Sequence, residues 1–351
     1  MFTFPEAQRF REGWQHLSVA YLEKDLHLSM GGETMRAASD ATQQHLESSI
    51  RLQSERKSFH LSNSAFGVLL ILPAFLILLA VFIYPLLYSA YMSVHHFYLP
   101  RPQDFAFIGL KNYTDVLTSA EFQRALGNTL IYAGVAVPLE FLFGLILALA
   151  LANITQGRGV IRMLLMLPMM LAPIVMGLMW KFMYNDQFGV INYLIKALGI
   201  TDRPPLWLAD PNLALYSIIM VDIWATTPML VILLLAGILA IPAEFYEAAQ
   251  IDGANAWQRF RRVTLPLLTP VILVALLLRG MDAFRVFDVV YVMTKGGPAM
   301  RSDVLSYFAY RTAFTELSIG RATAAAWIMT AILLVFALLL IRAMRREGAA
   351  A

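Results

Sequence analysis

Cysteine is absent from this 351-residue chain, which excludes disulfides, thiolate metal sites and cysteine nucleophiles and leaves the redox compartment unmarked. Charge is scarce as well. Asp, Glu, Lys and Arg make up 15% of the residues, against about a quarter in soluble domains. Strict apolar/polar alternation is missing from the long hydrophobic segments, which excludes barrel strands. The opening "MFTFPEAQRFREGWQHLSVAYLEKDL" lacks an apolar h-region, so no cleavable signal is expected there. A phosphate-cradling GxxxxGK[ST] is also missing. The nearest glycine-basic stretch, "TKGGP" at 294–298, has no strand and helix around it, so this chain is not expected to hydrolyse ATP or to be an enzyme at all. No metal or cofactor set is visible either.

What remains is 59% hydrophobic, with a mean hydropathy of +0.62, and reads as an all-α polytopic membrane protein. Six spans are expected, over 65–94, 126–152, 162–184, 214–240, 267–290 and 322–341. Each is long enough at about 1.5 Å per residue to cross roughly 30 Å of hydrocarbon. Six crossings put both termini on one side, which carries fifteen Lys and Arg against eight on the other. That bias predicts cytoplasmic termini. Without the first 64 residues the count is even, so the orientation then rests on short arginine-bearing turns, at Arg158 and Arg162 and at Arg259, Arg261 and Arg262. Trp180, Trp207, Tyr84, Tyr88 and Tyr91 fall where aromatic side chains meet headgroups, or where they pack against protein.

Four parts follow: a cytoplasmic tail over 1–64, a permeation domain over 65–346, a cytoplasmic loop over 242–266 within it, and a short cytoplasmic end over 347–351. The tail holds two amphipathic stretches, around Phe10, Trp14, Leu17, Tyr21 and Leu22 and around Leu46 and Ile50. Met30 and Met35 are alternative starts.

The loop "EFYEAAQIDGANAWQRFRRVTLPL" reads as two short helices. Pro242 and Glu244 open the first and Gly253 stops it. Asn255 starts the second, with Gln258 placed as a reciprocal cap, and Pro266 demands a kink before the next span. Ala248 and Ala249 permit close approach of a backbone. Trp257 and Phe260 either face a partner or pack on the chain's own bundle. A surface of small and aromatic residues rimmed by charge suits a protein partner, and an interfacial helix lying on headgroups is the alternative. The arginines are too few, and the loop too tightly tethered, for nucleic acid.

Glu247, Ala248, Ala249, Asp252, Gly253 and Ala254, followed by Leu265 and Pro266, resemble the EAA signature of inner-membrane permeases of binding-protein-dependent ABC importers. "FIGLKNYTDVL" at 107–117, the segment 167–195 and the segment 291–327 resemble the carbohydrate, glycerol-3-phosphate and polyol branch. The extended N-terminal region matches no motif of that branch. The resemblance implies a type I importer fold with coupling helices that seat in a cytoplasmic ATP-binding subunit dimer. It also implies a second permease, usually a paralogue, and an extracytoplasmic solute-binding protein that meets the outer loops. Gly296, Gly297 and Pro298 form a shaped outer turn suited to that contact.

Within the spans, Arg279, Asp282, Arg285 and Asp288 recur every three residues, so neighbours can pair along one helix side. Their cost in lipid requires a protein-facing or watery side. Arg279 lies near mid-membrane and is a candidate for the translocation path, with Asp282 as its expected counter-ion. Structural pairing accounts for these residues equally well. On the path reading, Arg279→Met should change transport without abolishing assembly. Asp222 and Thr226 are candidates for a polar lining with Thr227, and Glu140 and Lys181 read as structural or pore-solvating. The expected function is half of an ATP-driven import path for a sugar, polyol or glycerol-phosphate-like solute. An ion-coupled secondary transporter and a non-transporting scaffold are the alternatives.

Overall fold

The computed structural model describes residues 63–154 and 156–348, together with residues 41, 44 and 45. The amphipathic stretches read around residues 10–22 and 46–50 lie outside the described residues. Two compact units divide the chain, Met1–Ile77 and Leu78–Ala351. In the first, a helix begins at Asn63, and its side chains from Val68 to Leu72 are exposed, as lipid-facing side chains are.

Among the described residues, five helical segments are long and apolar enough to cross a membrane: Gly67–Ser93, Ala120–Asn153, Ala214–Leu239, Ala256–Met293 and Ile319–Met344. In chain order the helices are α1 (Asn63–Leu78), α2 (Tyr84–Ser93), α3 (Lys111–Thr118), α4 (Ala120–Asn153), α5 (Arg158–Met166), α6 (Pro173–Met183) and α7 (Val190–Ala197). They continue as α8 (Ala214–Leu239), α9 (Ala243–Ile251), α10 (Ala256–Arg259), α11 (Leu265–Phe284), α12 (Asp288–Met293), α13 (Leu305–Phe314) and α14 (Ile319–Gly348). A five-residue π turn, Leu79–Ile83, joins α1 to α2. Among the described residues the all-α expectation has small exceptions, a two-stranded pairing of His95 with Phe107 and His96 with Ala106 and an isolated bridge between Tyr98 and Ser318.

The expected third span is not one helix. It runs as α5, a 3₁₀ turn at Pro168–Met170, and α6, with Ala172 extended between them. Proline supplies the reason: Pro173 disfavours helical backbone at Ala172, and Pro168 lacks the amide hydrogen that an unbroken helix would use. The two pieces are about 14 and 16 Å long, so neither crosses alone. The expected fifth span is interrupted too, at residues 285–287 between α11 and α12. The second span starts earlier than its apolar run suggests, because Ser119 caps α4 by accepting from the Phe122 amide at 3.3 Å.

Two thirds of the apolar window of α8 is buried, against 11% of that of the final span, so α8 is the central helix and α14 a peripheral one. Lipid tails are as apolar as leucine, so close packing rather than water aversion holds such helices together. Small residues permit it. Gly144 of α4 lies so close to α8 that a β-carbon there would stand 2.9 Å from Leu230 Cβ. One cluster of buried side chains gathers Tyr132, Ala136, Ile218 and Val221 with Ala283 and Val290, and a second gathers Ala148, Leu151, Leu234 and Ile238 with Leu268.

Candidate functional site

The polar residues of the spans converge on one buried cluster. Arg279 of α11 donates through Nε to Glu140 of α4 and through Nη2 to Glu140 Oε1 at 2.8 Å, and it also pairs with Asp222 of α8. The Glu140 side chain is 0% exposed and that of Arg279 4%. Thr226 Oγ1 donates to Glu140 Oε1 at 2.7 Å, and is within the same distance of the Asp222 carbonyl. Three helices are thereby tied through one guanidinium, which suits bidentate pairing as no other side chain does.

The expected partner of Arg279 is therefore corrected. Asp282 pairs instead with Arg285 at 2.8 Å, and both of those side chains are more than half exposed. The turn of a helix places positions three apart side by side, yet Arg279 points inward while Asp282 and Arg285 face open space. Glu140 is the partner missed from sequence. Its charge deep in α4 was the only signal, since 139 residues separate it from Arg279. Lys181, read as reaching for an interface, donates to the Val292 carbonyl at 3.0 Å and so ties α6 to α12.

Beside the cluster lies a cavity of 530 Å³. Asp222, Thr226 and Arg279 line it, and so do Asp282, Arg285 and Asp288. The break at Pro168 and Pro173 forms part of its wall, so the interruption of the third segment opens this space. Phe287 also lines it and begins a run of rings, with Tyr310 5.1 Å away and Phe314 a further 5.0 Å on, ending at an exposed side chain.

The loop folds as expected. Helix α9 ends at Ile251 with Asp252 as its C-terminal cap, and Gly253 follows with φ +77°, a conformation costing other residues roughly 1–2 kcal/mol. Asn255 and Gln258 form the reciprocal cap of α10, at 2.9 and 2.8 Å. A π turn at Phe260–Thr264 takes up the kink that Pro266 demands. Tyr246 of α9 hydrogen-bonds Thr264 at 3.1 Å, bracing the loop on the span. Glu247, Ala248, Asp252 and Gly253 are exposed; Ala249 and Ala254 are half-buried. Phe260 packs on the bundle, whereas Trp257 is 65% exposed and Ile251 87%.

In the turn at 294–302, Gly296 is buried against Tyr307, and Ser302 closes the turn by donating to the Gly297 carbonyl at 2.5 Å. Gly297 and Pro298 are half-buried, and Lys295, Ala299 and Arg301 are the exposed residues around them. Trp207 donates to Asn192 at 2.7 Å and packs on Tyr184 beside Trp180, so these two tryptophans are protein-packed, whereas Tyr84, Tyr88 and Tyr91 are exposed.

Next to the turn, Arg311 is shared by Glu121, Asp303 and Glu316 at 3.1, 3.3 and 2.5 Å. Burial pushes the Asp303 carboxyl up to about 6 from an ordinary 3.8, with Arg311 acting against the rise. Among the described residues, its Oδ1 has no hydrogen-bond partner. A raised carboxyl binds its proton more tightly folded than unfolded. Its contribution to stability is thus fully present below pH 3.8 and is lost as pH climbs through about 6. Thermal unfolding between pH 4 and 7.5 should show this decline, and Asp303→Asn should flatten it.

Residues 124–346 match the family described as "binding-protein-dependent transport system inner membrane component". The chain belongs to this family. It is 41% identical over 244 residues to the trehalose/maltose transport system permease protein MalF of Thermococcus litoralis, covering 70% of this chain and 82% of that one. It is 35% identical over 269 residues to the trehalose transport system permease protein SugA of Mycobacterium tuberculosis, covering 77% and 85%. A crystal structure of a bacterial ABC transporter involved in import of the acidic polysaccharide alginate superposes with a TM-score of 0.71 at 25% identity, covering 80% of this permease and 95% of that chain. The permease is a multi-pass membrane protein of a system that also comprises an ATPase and a solute-binding protein, and hydrolysis of ATP is not its part.

Proposed function

We propose that this permease forms half of the import path for an uncharged, hydroxyl-rich solute, a sugar or polyol, rather than for a phosphorylated one. The carrying observation is that both guanidiniums lining the cavity are already engaged, Arg279 by Glu140 and Asp222, and Arg285 by Asp282. Three carboxylates, Asp222, Asp282 and Asp288, line the cavity against these two cations. An entering phosphate would meet excess negative charge in a poorly screened space. Thr226, Asp282 and Asp288 offer hydroxyls their hydrogen bonds, and Phe287 offers a ring face. Relatives named for trehalose and maltose agree with a neutral cargo.

In this reading α5, its 3₁₀ turn and α6 together make the third of six crossings, which leaves both termini in the cytoplasm of a bacterial cell. The loop at 242–266 is the coupling element. Glu247, Ala248, Ala249, Asp252, Gly253 and Ala254 seat in one subunit of an ATPase dimer, and a paralogous permease supplies the other half of the path. The turn at Gly296, Gly297 and Pro298 shapes the surface that meets the solute-binding protein, with direct contact falling to exposed neighbours. Support comes from the exposure of α9 and of the Gly253 turn.

Uptake by cells carrying the whole importer tests the cargo. Labelled trehalose or maltose should accumulate, and unlabelled glycerol-3-phosphate in large excess should not compete. Competition by the phosphate would contradict the reading of the cavity. Uptake that persists without the ATPase would contradict the importer itself.

A further inference from the structure

A second cavity, of 1090 Å³, opens where α4, α8 and the loop meet. We propose that it is a binding site for an anionic phospholipid of the cytoplasmic leaflet. The proposal rests on the loop facing the cytosol, as above, and otherwise on the shape and charge of the cavity.

Its wall on α4 is formed by Leu142, Leu145, Ile146 and Leu149, which follow one face of the helix at spacings of three and one. From Leu142 to Asn153 that face runs about 16 Å along the span, the direction in which an acyl chain lies. Along this wall the polar residue Asn153 comes last, and Gln250 and Arg259 also line the cavity, as do Tyr246 and Thr264, which hydrogen-bond each other. The α4 wall is thus apolar along most of its length and polar at one end, the order of a phospholipid's own parts. Arg259 is the one charged residue among the lining side chains. Arg261 and Arg262 are exposed on the same turn. Among the described residues, no carboxylate lies within ion-pair distance of any of these three. Unpaired arginines at the cytoplasmic end of a helix cleft attract anionic headgroups. Trp257, mostly exposed and packed at a tilt on Phe260 with ring centroids 5.4 Å apart, also lines the cavity, at the level where amphipathic rings favour the interface. An acyl chain here would fill the gap beneath Tyr246 and Gln250, on the groove-facing side of α9, and so stiffen the element that must transmit movement.

The test is made on the full purified complex, stripped of lipid and re-equilibrated with vesicles of equal phosphatidylglycerol and phosphatidylcholine, with retained lipid read by native mass spectrometry. Phosphatidylglycerol should be retained several-fold over phosphatidylcholine. Arg259→Gln should remove the preference, Arg259→Lys should keep most of it, and Leu149→Trp should displace both lipids. A photoreactive residue at position 149 should capture lipid. Equal retention of the two lipids, a preference untouched by Arg259→Gln, or capture of the ATPase or the second permease from position 149 would overturn the proposal. Because retention is read without turnover, a lipid preference that persists in a complex that does not transport would count against the function proposed above and not against this site.

Discussion

Replacing Arg279 with methionine should cut the yield of folded permease several-fold, rather than merely altering its transport kinetics. The substitution removes what is, among the described residues, the one cation that holds Glu140 and Asp222, which would then face each other as uncompensated charges inside the bundle. Removing one partner of a buried pair costs about 3–5 kcal/mol, a large part of the 5–15 kcal/mol by which proteins are typically stable. Replacing all three, as Glu140→Gln, Asp222→Asn and Arg279→Met together, removes the charges in concert and should recover much of the loss. Monodispersity and thermal unfolding in detergent would check both variants. A single Arg279→Met variant that folds at the wild-type level while its uptake kinetics change would show that Arg279 serves passing solute instead. The burial of Arg279 favours structural pairing, which the sequence offered on equal terms with contact to cargo.

Gly253→Val should reduce transport at least ten-fold while the bundle still folds. At φ +77° a β-branched residue is strained, yet an added β-carbon would meet nothing within 4 Å, so the cost is in backbone conformation and not collision. Relief of that strain would turn the end of α9 and move Glu247 and Asp252 away from the surface they present. Copurification of the ATPase with the Gly253→Val permease should fall in parallel with transport. Thermal unfolding should shift little, because the turn is exposed and adds nothing to the core.

The contrast between these two residues shows what was legible in the sequence. The loop was legible almost completely, because its signals are local: a cap at Asn255 answered by Gln258, a glycine where a helix must stop, a proline that forces a kink. Each acts within a few residues of itself. Long apolar runs were legible for the same reason, and α8 emerged within one residue of its expected ends. The third segment misled because its composition is that of a span while Pro168 and Pro173 interrupt its geometry, and composition is blind to where a helix breaks. Arg279 misled because its partners are 139 and 57 residues distant, on helices whose rotation is set by packing at positions such as Gly144. Helical spacing offered Asp282 as the nearest acid, and only the tertiary arrangement of α4, α8 and α11 turns Arg279 away from it.

The central claim is that work enters through the exposed face of α9 and the Gly253 turn from a separate ATPase. It is tested most directly by a single photoreactive side chain at position 248, in a complex reconstituted with its partners and turning over. The account predicts that light will join this position to the ATPase subunit, with a yield that changes between nucleotide-free and ATP-bound states. Labelling confined to lipid or to the permease itself, in a complex that still transports at the full rate, would contradict it.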